Sequence, residues 1–191
     1  MKLNRFGQAT PLDHRSYQLI SNYFLTESHK VFWALAWFTG ERPETILSMD
    51  VLHVYSNPTR RTARSQILFP ATTRKGGKDT REVPLHKSLE LVLKNYEAPT
   101  VGFLFPSLYR DDRHLSRQAM DKCLRRALKK AGLEDQGYSL YSPRRGFITR
   151  LDELGYSMRM IQAITGHRSL EALGRYIEVS PEKKRSVMDS F

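Results

Sequence analysis

The chain has 191 residues, 40% of them hydrophobic, which is enough for one folded core and excludes a wholly disordered polymer. Its 31 lysines and arginines outnumber 20 acidic residues, a formal net charge of +11 that points to a polyanionic partner. One cysteine, Cys123, excludes an intramolecular disulfide framework and suits a reducing compartment, and no Cys/His spacing suits structural zinc.

Residues 1–10 read as a loose polar arm without the apolar stretch of a signal peptide. A helix is expected over 13–25, and another over 28–39, where Val31, Phe32, Leu35 and Phe38 recur at helical spacing and Gly40 stands as a stop. The apolar run VFWALAWF at 31–38 is too short to cross a bilayer and reads as buried helix. Pro43 fits the first turn of a short third helix. Residues 51–55, 66–71 and 81–85 read as short strands, the last two joined by the turn RKGGKD at 74–79. The pattern is then helical again. Met120, Cys123, Leu124, Ala127, Leu128 and Ala131 define an amphipathic helix over 116–131 that stops at Gly132. Further helices are expected over 143–154, 158–164 and 182–188. The fold class is mainly α with one small antiparallel β-sheet, α+β. The organisation is an arm over 1–10, one domain over 11–180 and a tail over 181–191.

Four stretches carry chemistry-bearing residues. TGERPETILSMD at 39–50 puts Arg42 at the junction of two helices. TRKGGKDTREVPL at 73–85 is a basic hairpin tip. YSPRRGF at 141–147 places Arg144 and Arg145 at a helix start, where cations oppose the helix dipole; a bound anion would give them a reason to be there. TGHRSLEALGRYIEV at 165–179 sets His167 nine positions before Tyr176. Taken singly, the first is a surface arginine and the second a solvated turn.

In order and spacing the four stretches resemble the tyrosine recombinases, also called the phage integrase family, over residues 11–180. FLFPS at 103–107 and LKKAGL at 128–133 are similar to structural landmarks of that family. The resemblance implies the recombinase catalytic-domain fold and a site-specific DNA strand transferase. Arg42 and Arg144 then match the two arginines that clamp the scissile phosphate, for which a planar, permanently charged fork is suited. Lys75 matches the general acid of the hairpin, with Lys78 as the alternative register. His167 matches the histidine that donates to phosphate or assists proton transfer. Tyr176 matches the nucleophile, which forms a covalent 3′-phosphotyrosine and leaves a 5′-hydroxyl. No cofactor or metal is required. The implied partner is double-stranded DNA, held by a tetrameric synapse of the protein with helper DNA-bending proteins, in a prokaryotic cytoplasm and without a membrane. The outcome would be integration, excision or inversion. Arg60, Arg61, Arg64, Lys78, Arg117 and Arg145 are the residues expected on the DNA backbone, and the tail after Tyr176 either packs in cis or, as the resemblance implies, reaches a neighbouring protomer and couples the two. With about ten residues before the catalytic region, the chain is either a fragment or similar to the small fimbrial-switch invertases.

Two positions depart from the family pattern. Its His-x-x-Arg reads Tyr-Ser-Pro-Arg here, so Tyr141 stands where histidine is usual; a phenol, with a pKa of about 10, is a poor base at neutral pH. Three residues after Arg42 the family usually has an acid; here Thr45 stands there and Glu44 lies one earlier, about 100° away on a helix. Such departures leave open a DNA-binding protein that has kept the fold without the chemistry. A type IB topoisomerase is a second alternative, because it shares the tyrosine and the basic cluster.

Overall fold

The computed structural model describes residues 8–73, 80–110 and 112–177, together with Arg185, Met188 and Asp189. The chain divides into two compact units, Met1–Phe147 and Ile148–Phe191.

The first unit opens with residues 8–12 hydrogen-bonded to residues 136–142. Thr10 donates its hydroxyl to the Gln136 carbonyl (2.6 Å), and the Leu12 N–H reaches the Ser142 carbonyl (3.1 Å). Helix α1, His14–Asn22, starts at Asp13, whose carboxylate accepts the Ser16 N–H at 2.8 Å. It ends three residues before the expected 25, because the Tyr23 and Phe24 N–H groups bond back to Ile20 and Ser21 in a tightened last turn. Helix α2, Glu27–Thr39, is capped by Thr26 and is apolar nearly all round; Val31 through Trp37 are buried, as expected of a helix at the centre of a core. Gly40 ends it at φ +60, and a Cβ there would lie 2.4 Å from Phe147 Cδ1, so this position needs glycine on both counts. Helix α3, Pro43–Leu47, carries its proline in the first turn.

Residues 51–55 do not form the expected strand. Asp50 accepts the Leu52 N–H at 2.8 Å, and His53 Nδ1 accepts the Asp50 N–H at 3.0 Å. This reciprocal box winds Val51–His53 into a 3-10 turn, a local side-chain bond outcompeting a strand ladder. Strand β1 begins only at Tyr55 (Tyr55–Asn57) and pairs antiparallel with β2, Thr62–Ala63. Strand β3, Gln66–Phe69, pairs antiparallel with β4, Arg81–Pro84, in the register Gln66 to Pro84 and Phe69 to Arg81. There are thus two two-stranded sheets among the described residues, where the sequence suggested one. β3 stops before the expected Ala71 because Pro70 has no N–H to donate. The basic turn at 74–79, with Lys75 and Lys78, lies outside the described residues.

Helix α4, Lys87–Asn95, follows β4. Helix α5, Arg117–Ala131, runs from the Ser116 cap to Gly132 and buries Met120, Leu124, Ala127 and Leu128 on one face. The core collects α1, α2, α3, α4 and α5 around Phe32, Trp33 and Phe105. Helix α6 covers Ser142–Glu153. Its Gly146 lies so near residues 8–12 that a Cβ would stand 2.0 Å from the Leu12 carbonyl oxygen.

The second unit has its own small core of Ile148, Ile161 and Leu173, with Leu151, Tyr176 and Ile177 packed against it. Helix α7, Met158–Thr165, is capped by Ser157 and ended by Gly166 at φ +66. A further helix, α8 (Leu170–Gly174), is capped by Ser169; at five residues it is too short for periodicity to announce. The helix expected over 182–188 lies outside the described residues, apart from helical Arg185 and Met188. No described helix is long and apolar enough to cross a membrane.

Candidate active site

In the first unit the site is organised by a residue the sequence reading did not single out. The chain leaves α2 at Gly40 and enters α3 at Pro43, so Glu41 and Arg42 occupy a two-residue junction. The Glu41 side chain is fully buried. Its Oε1 accepts the Arg42 backbone N–H at 2.8 Å and lies 3.5 Å from Arg42 Nη1. The same oxygen is 3.6 Å from Nη1 of Arg144 on α6, which also donates to the Gly40 carbonyl at 2.7 Å. Oε2 accepts from Arg81 Nη2 at 2.7 Å, and the Arg81 guanidinium stacks 4.7 Å above the Phe69 ring. Three arginines from distant parts of the chain therefore meet on one carboxylate. Burial pushes the Glu41 carboxyl up, but Arg81, Arg144, the Arg42 N–H and the Arg42 charge outweigh it and hold the group below the ordinary glutamate range.

Arg144 is 1% exposed, whereas the Arg42 side chain is 32% exposed, so one guanidinium is locked in the interior and the other is presented. The cationic start of α6 is thus supported by an internal carboxylate. Thr45 is buried on α3 but neutral, and Glu44 is acidic but faces solvent, so neither puts a carboxylate in the interior after Arg42. Two signals were available. An acid directly before Arg42, after a helix-stopping glycine, lands in the interior. The alternation of β4 also puts Arg81 inward beside Val83, where an arginine needs an acidic partner.

Tyr141 stands just before α6 and is 37% exposed. It lines an open cleft of about 520 Å³ together with Arg117, Gln118, Asp121, Lys122, Ser139 and Leu140. Its N–H is fixed by Ser139 Oγ at 3.2 Å.

In the second unit the loop between α7 and α8 carries His167, and Tyr176 follows α8. Their rings lie 5.2 Å apart between centroids at 58°. His167 is buried and its Nδ1 lies 2.6 Å from Thr165 Oγ1, while that hydroxyl donates to the Ile161 carbonyl at 2.6 Å. A hydroxyl has one hydrogen. With it on Ile161, Thr165 accepts from His167 Nδ1–H, so in the neutral ring Nε2 is the basic nitrogen. Gln162 Nε2 donates to the His167 carbonyl at 3.0 Å and steadies the loop from α7.

Residues 12–183 match the model of the phage integrase family. The chain belongs to that family. A curated relative in the family, tyrosine recombinase XerD of Listeria innocua, is 29% identical over 153 residues, 76% of this chain and 47% of the relative. The chain thus spans about half the length of the curated recombinases it matches. A crystal structure of XerA recombinase superposes with a TM-score of 0.72 at 19% identity, covering 95% of this chain and 65% of the other. The pre-cleavage complex of XerH recombinase with its difH substrate superposes at 0.68 and 19% identity, over 98% of this chain and 55% of that one. These likenesses show the integrase catalytic-domain fold.

Of the residues expected on DNA, Arg60 and Arg61 are exposed at the turn joining β1 to β2, where Arg61 takes φ 53 and pairs with Glu97 at 2.9 Å. Arg64 is half-buried, and Arg117 is exposed at the start of α5. Arg145 differs: it is 3% exposed, and its guanidinium donates to the Gln8 side chain. That contact ties residues 8–12 to α6. Among the described residues no cluster of His, Cys, Asp and Glu is placed to hold a metal ion.

Proposed function

We propose that this chain is the strand-cutting and rejoining part of a site-specific DNA recombinase, with Tyr176 as nucleophile. The observation that carries the proposal is the sharing of Glu41 by Arg42 and Arg144, because two oriented guanidiniums of distant origin fit one phosphodiester. In this reading Arg42 and Arg144 hold the non-bridging oxygens and stabilise the charge that grows on them in the pentavalent transition state. The Tyr176 oxygen attacks phosphorus and loses its proton, while the bond from phosphorus to the 5′-oxygen breaks. His167 Nε2 serves the phosphate or the moving proton. Lys75, with Lys78 as the alternative, protonates the departing 5′-oxygen. The products are a 3′-phosphotyrosine and a 5′-hydroxyl, and a 5′-hydroxyl from another strand reverses the step. The bond energy is kept, so no nucleotide cofactor is consumed. Tyr141 supplies a phenolic hydrogen bond where the family usually has histidine.

Double-stranded DNA is the proposed substrate. Arg60, Arg61, Arg64, Lys78, Arg117 and Arg145 are proposed for its backbone, and a homotetrameric synapse aided by DNA-bending proteins is the proposed assembly. The net charge of +11 supports the polyanionic partner. The test is a nicked duplex carrying DNA that flanks the gene, mixed with the protein and run on a denaturing gel. A covalent band that disappears in Tyr176→Phe is expected. Salt-sensitive binding with no band at any site would instead favour the non-catalytic DNA-binding reading that Tyr141 suggests.

A further inference from the structure

We propose that Glu41 is a positioning residue that sets the Arg42 and Arg144 guanidiniums for one phosphate, with Arg81 anchoring that carboxylate to β4. The proposal rests on the reading of the arginine pair as a phosphate clamp.

Glu41 puts one negative charge among three positive ones. Arg42 comes from the α2–α3 junction, Arg81 from β4 and Arg144 from α6, and each lies within 4 Å of the same carboxylate, at 3.5, 2.7 and 3.6 Å. Buried guanidiniums brought together without an anion would repel and turn outward. The two oxygens divide the work. Oε2 takes the short bond to Arg81, which also reaches the Thr39 carbonyl at 3.5 Å and lies over the Phe69 ring, so the carboxylate is fixed from the sheet side. Oε1 faces Arg42 and Arg144, and the Arg42 N–H at 2.8 Å holds it in place. A planar guanidinium that gives one edge to a carboxylate has its orientation set for the other edge. No carboxylate elsewhere on α3 substitutes, since Thr45 is neutral and Glu44 faces solvent.

Positioning and simple neutralisation predict opposite signs. Glu41→Gln adds one positive charge, so an effect of charge alone tightens phosphate binding, whereas loss of positioning weakens it. Wild type, Glu41→Gln and Glu41→Asp would be titrated with inorganic phosphate while the Nε–H signals of Arg42 and Arg144 are followed by NMR. Covalent-complex formation would be timed at saturating nicked DNA. Glu41→Gln is expected to remain folded, bind phosphate more weakly, and form the covalent complex about 10–100-fold more slowly. DNA affinity should stay within about threefold, since most backbone contacts lie elsewhere. Glu41→Asp should recover part of the rate. Tighter phosphate binding, or a wild-type rate in folded Glu41→Gln, would overturn the proposal. If Glu41→Gln does not fold, Arg81→Met decides: it keeps an apolar stem over Phe69 and removes only the anchor. A several-fold slower rate with weaker phosphate binding supports the proposal, and no change in either overturns it. If the wild type forms no covalent complex but phosphate binding still weakens in Glu41→Gln, the cleavage reading fails while the role of Glu41 stands.

Discussion

Replacing Thr165 with valine keeps the shape of the side chain and removes its hydroxyl. That hydroxyl accepts from His167 Nδ1–H and donates to the Ile161 carbonyl, both at 2.6 Å in a buried setting. One neutral hydrogen bond contributes about 0.5–1.5 kcal/mol net, and an orphaned buried donor costs about 1–3 kcal/mol. The expected destabilisation is therefore roughly 1–3 kcal/mol, or a fall in Tm of roughly 2–12 °C for a chain of this size. The kinetic effect should be larger than the structural one. Without its acceptor the neutral imidazole moves its hydrogen to Nε2, and the basic nitrogen then faces the valine methyls. Proton-transfer assistance is worth about 10²–10⁴-fold when one group carries it alone. His167 shares the work with two arginines and a lysine in the proposed mechanism, so a fall of about 10–100-fold is expected. The assay is single-turnover formation of the covalent protein–DNA complex on a nicked substrate, well below the melting range of the variant. Thr165→Ser retains the hydroxyl and should recover most of the rate. A folded Thr165→Val that cleaves within about twofold of wild type would refute the tautomer argument.

Gly146→Ala should cost about 1–3 kcal/mol or more, because the new Cβ would stand 2.0 Å from the backbone oxygen of Leu12; urea unfolding checks this, and an unchanged midpoint would contradict the packing of residues 8–12 on α6. Glu41 has a folded-state pKa below its unfolded value, so its contribution is complete above the ordinary glutamate pKa of about 4.3 and is lost as pH falls through the lower folded value. Urea unfolding between about pH 5 and pH 2.5 should show that loss in wild type and lack it in Glu41→Gln. Lys75→Ala should slow cleavage by about 10²–10⁴-fold, and a 5′-thiol leaving group, which needs no general acid, should restore it; failure to restore would move the role to Lys78.

Much of the scaffold was legible because its signals are local. The helix ending at Gly132 and the one ending at Gly40 each combine a periodic apolar face with a residue that tolerates positive φ. Residues 51–55 misled because their apolar, β-branched composition says nothing of Asp50 and His53 closing on one another. Pro70 shortened β3 for a reason visible in advance, while α8 is held by one serine cap and a contact through Leu173 that only tertiary packing provides. The site divides in the same way. Arg42, Arg144, His167 and Tyr176 stood out through order and spacing. Glu41 did not, because the family pattern has its acid after Arg42, on the helix, whereas the buried carboxylate comes before it in the junction. Arg81 was hidden in a strand read for its fold, although an inward-facing arginine is itself a request for a partner.

The most direct test of the account is to identify the residue that becomes attached to DNA. The trapped complex would be trimmed with nuclease, digested with protease and analysed by mass spectrometry. The account predicts one nucleotide-phosphate adduct, on the peptide containing Tyr176, and none from Tyr176→Phe. An adduct on another residue, or tight DNA binding with no adduct at all, would contradict it.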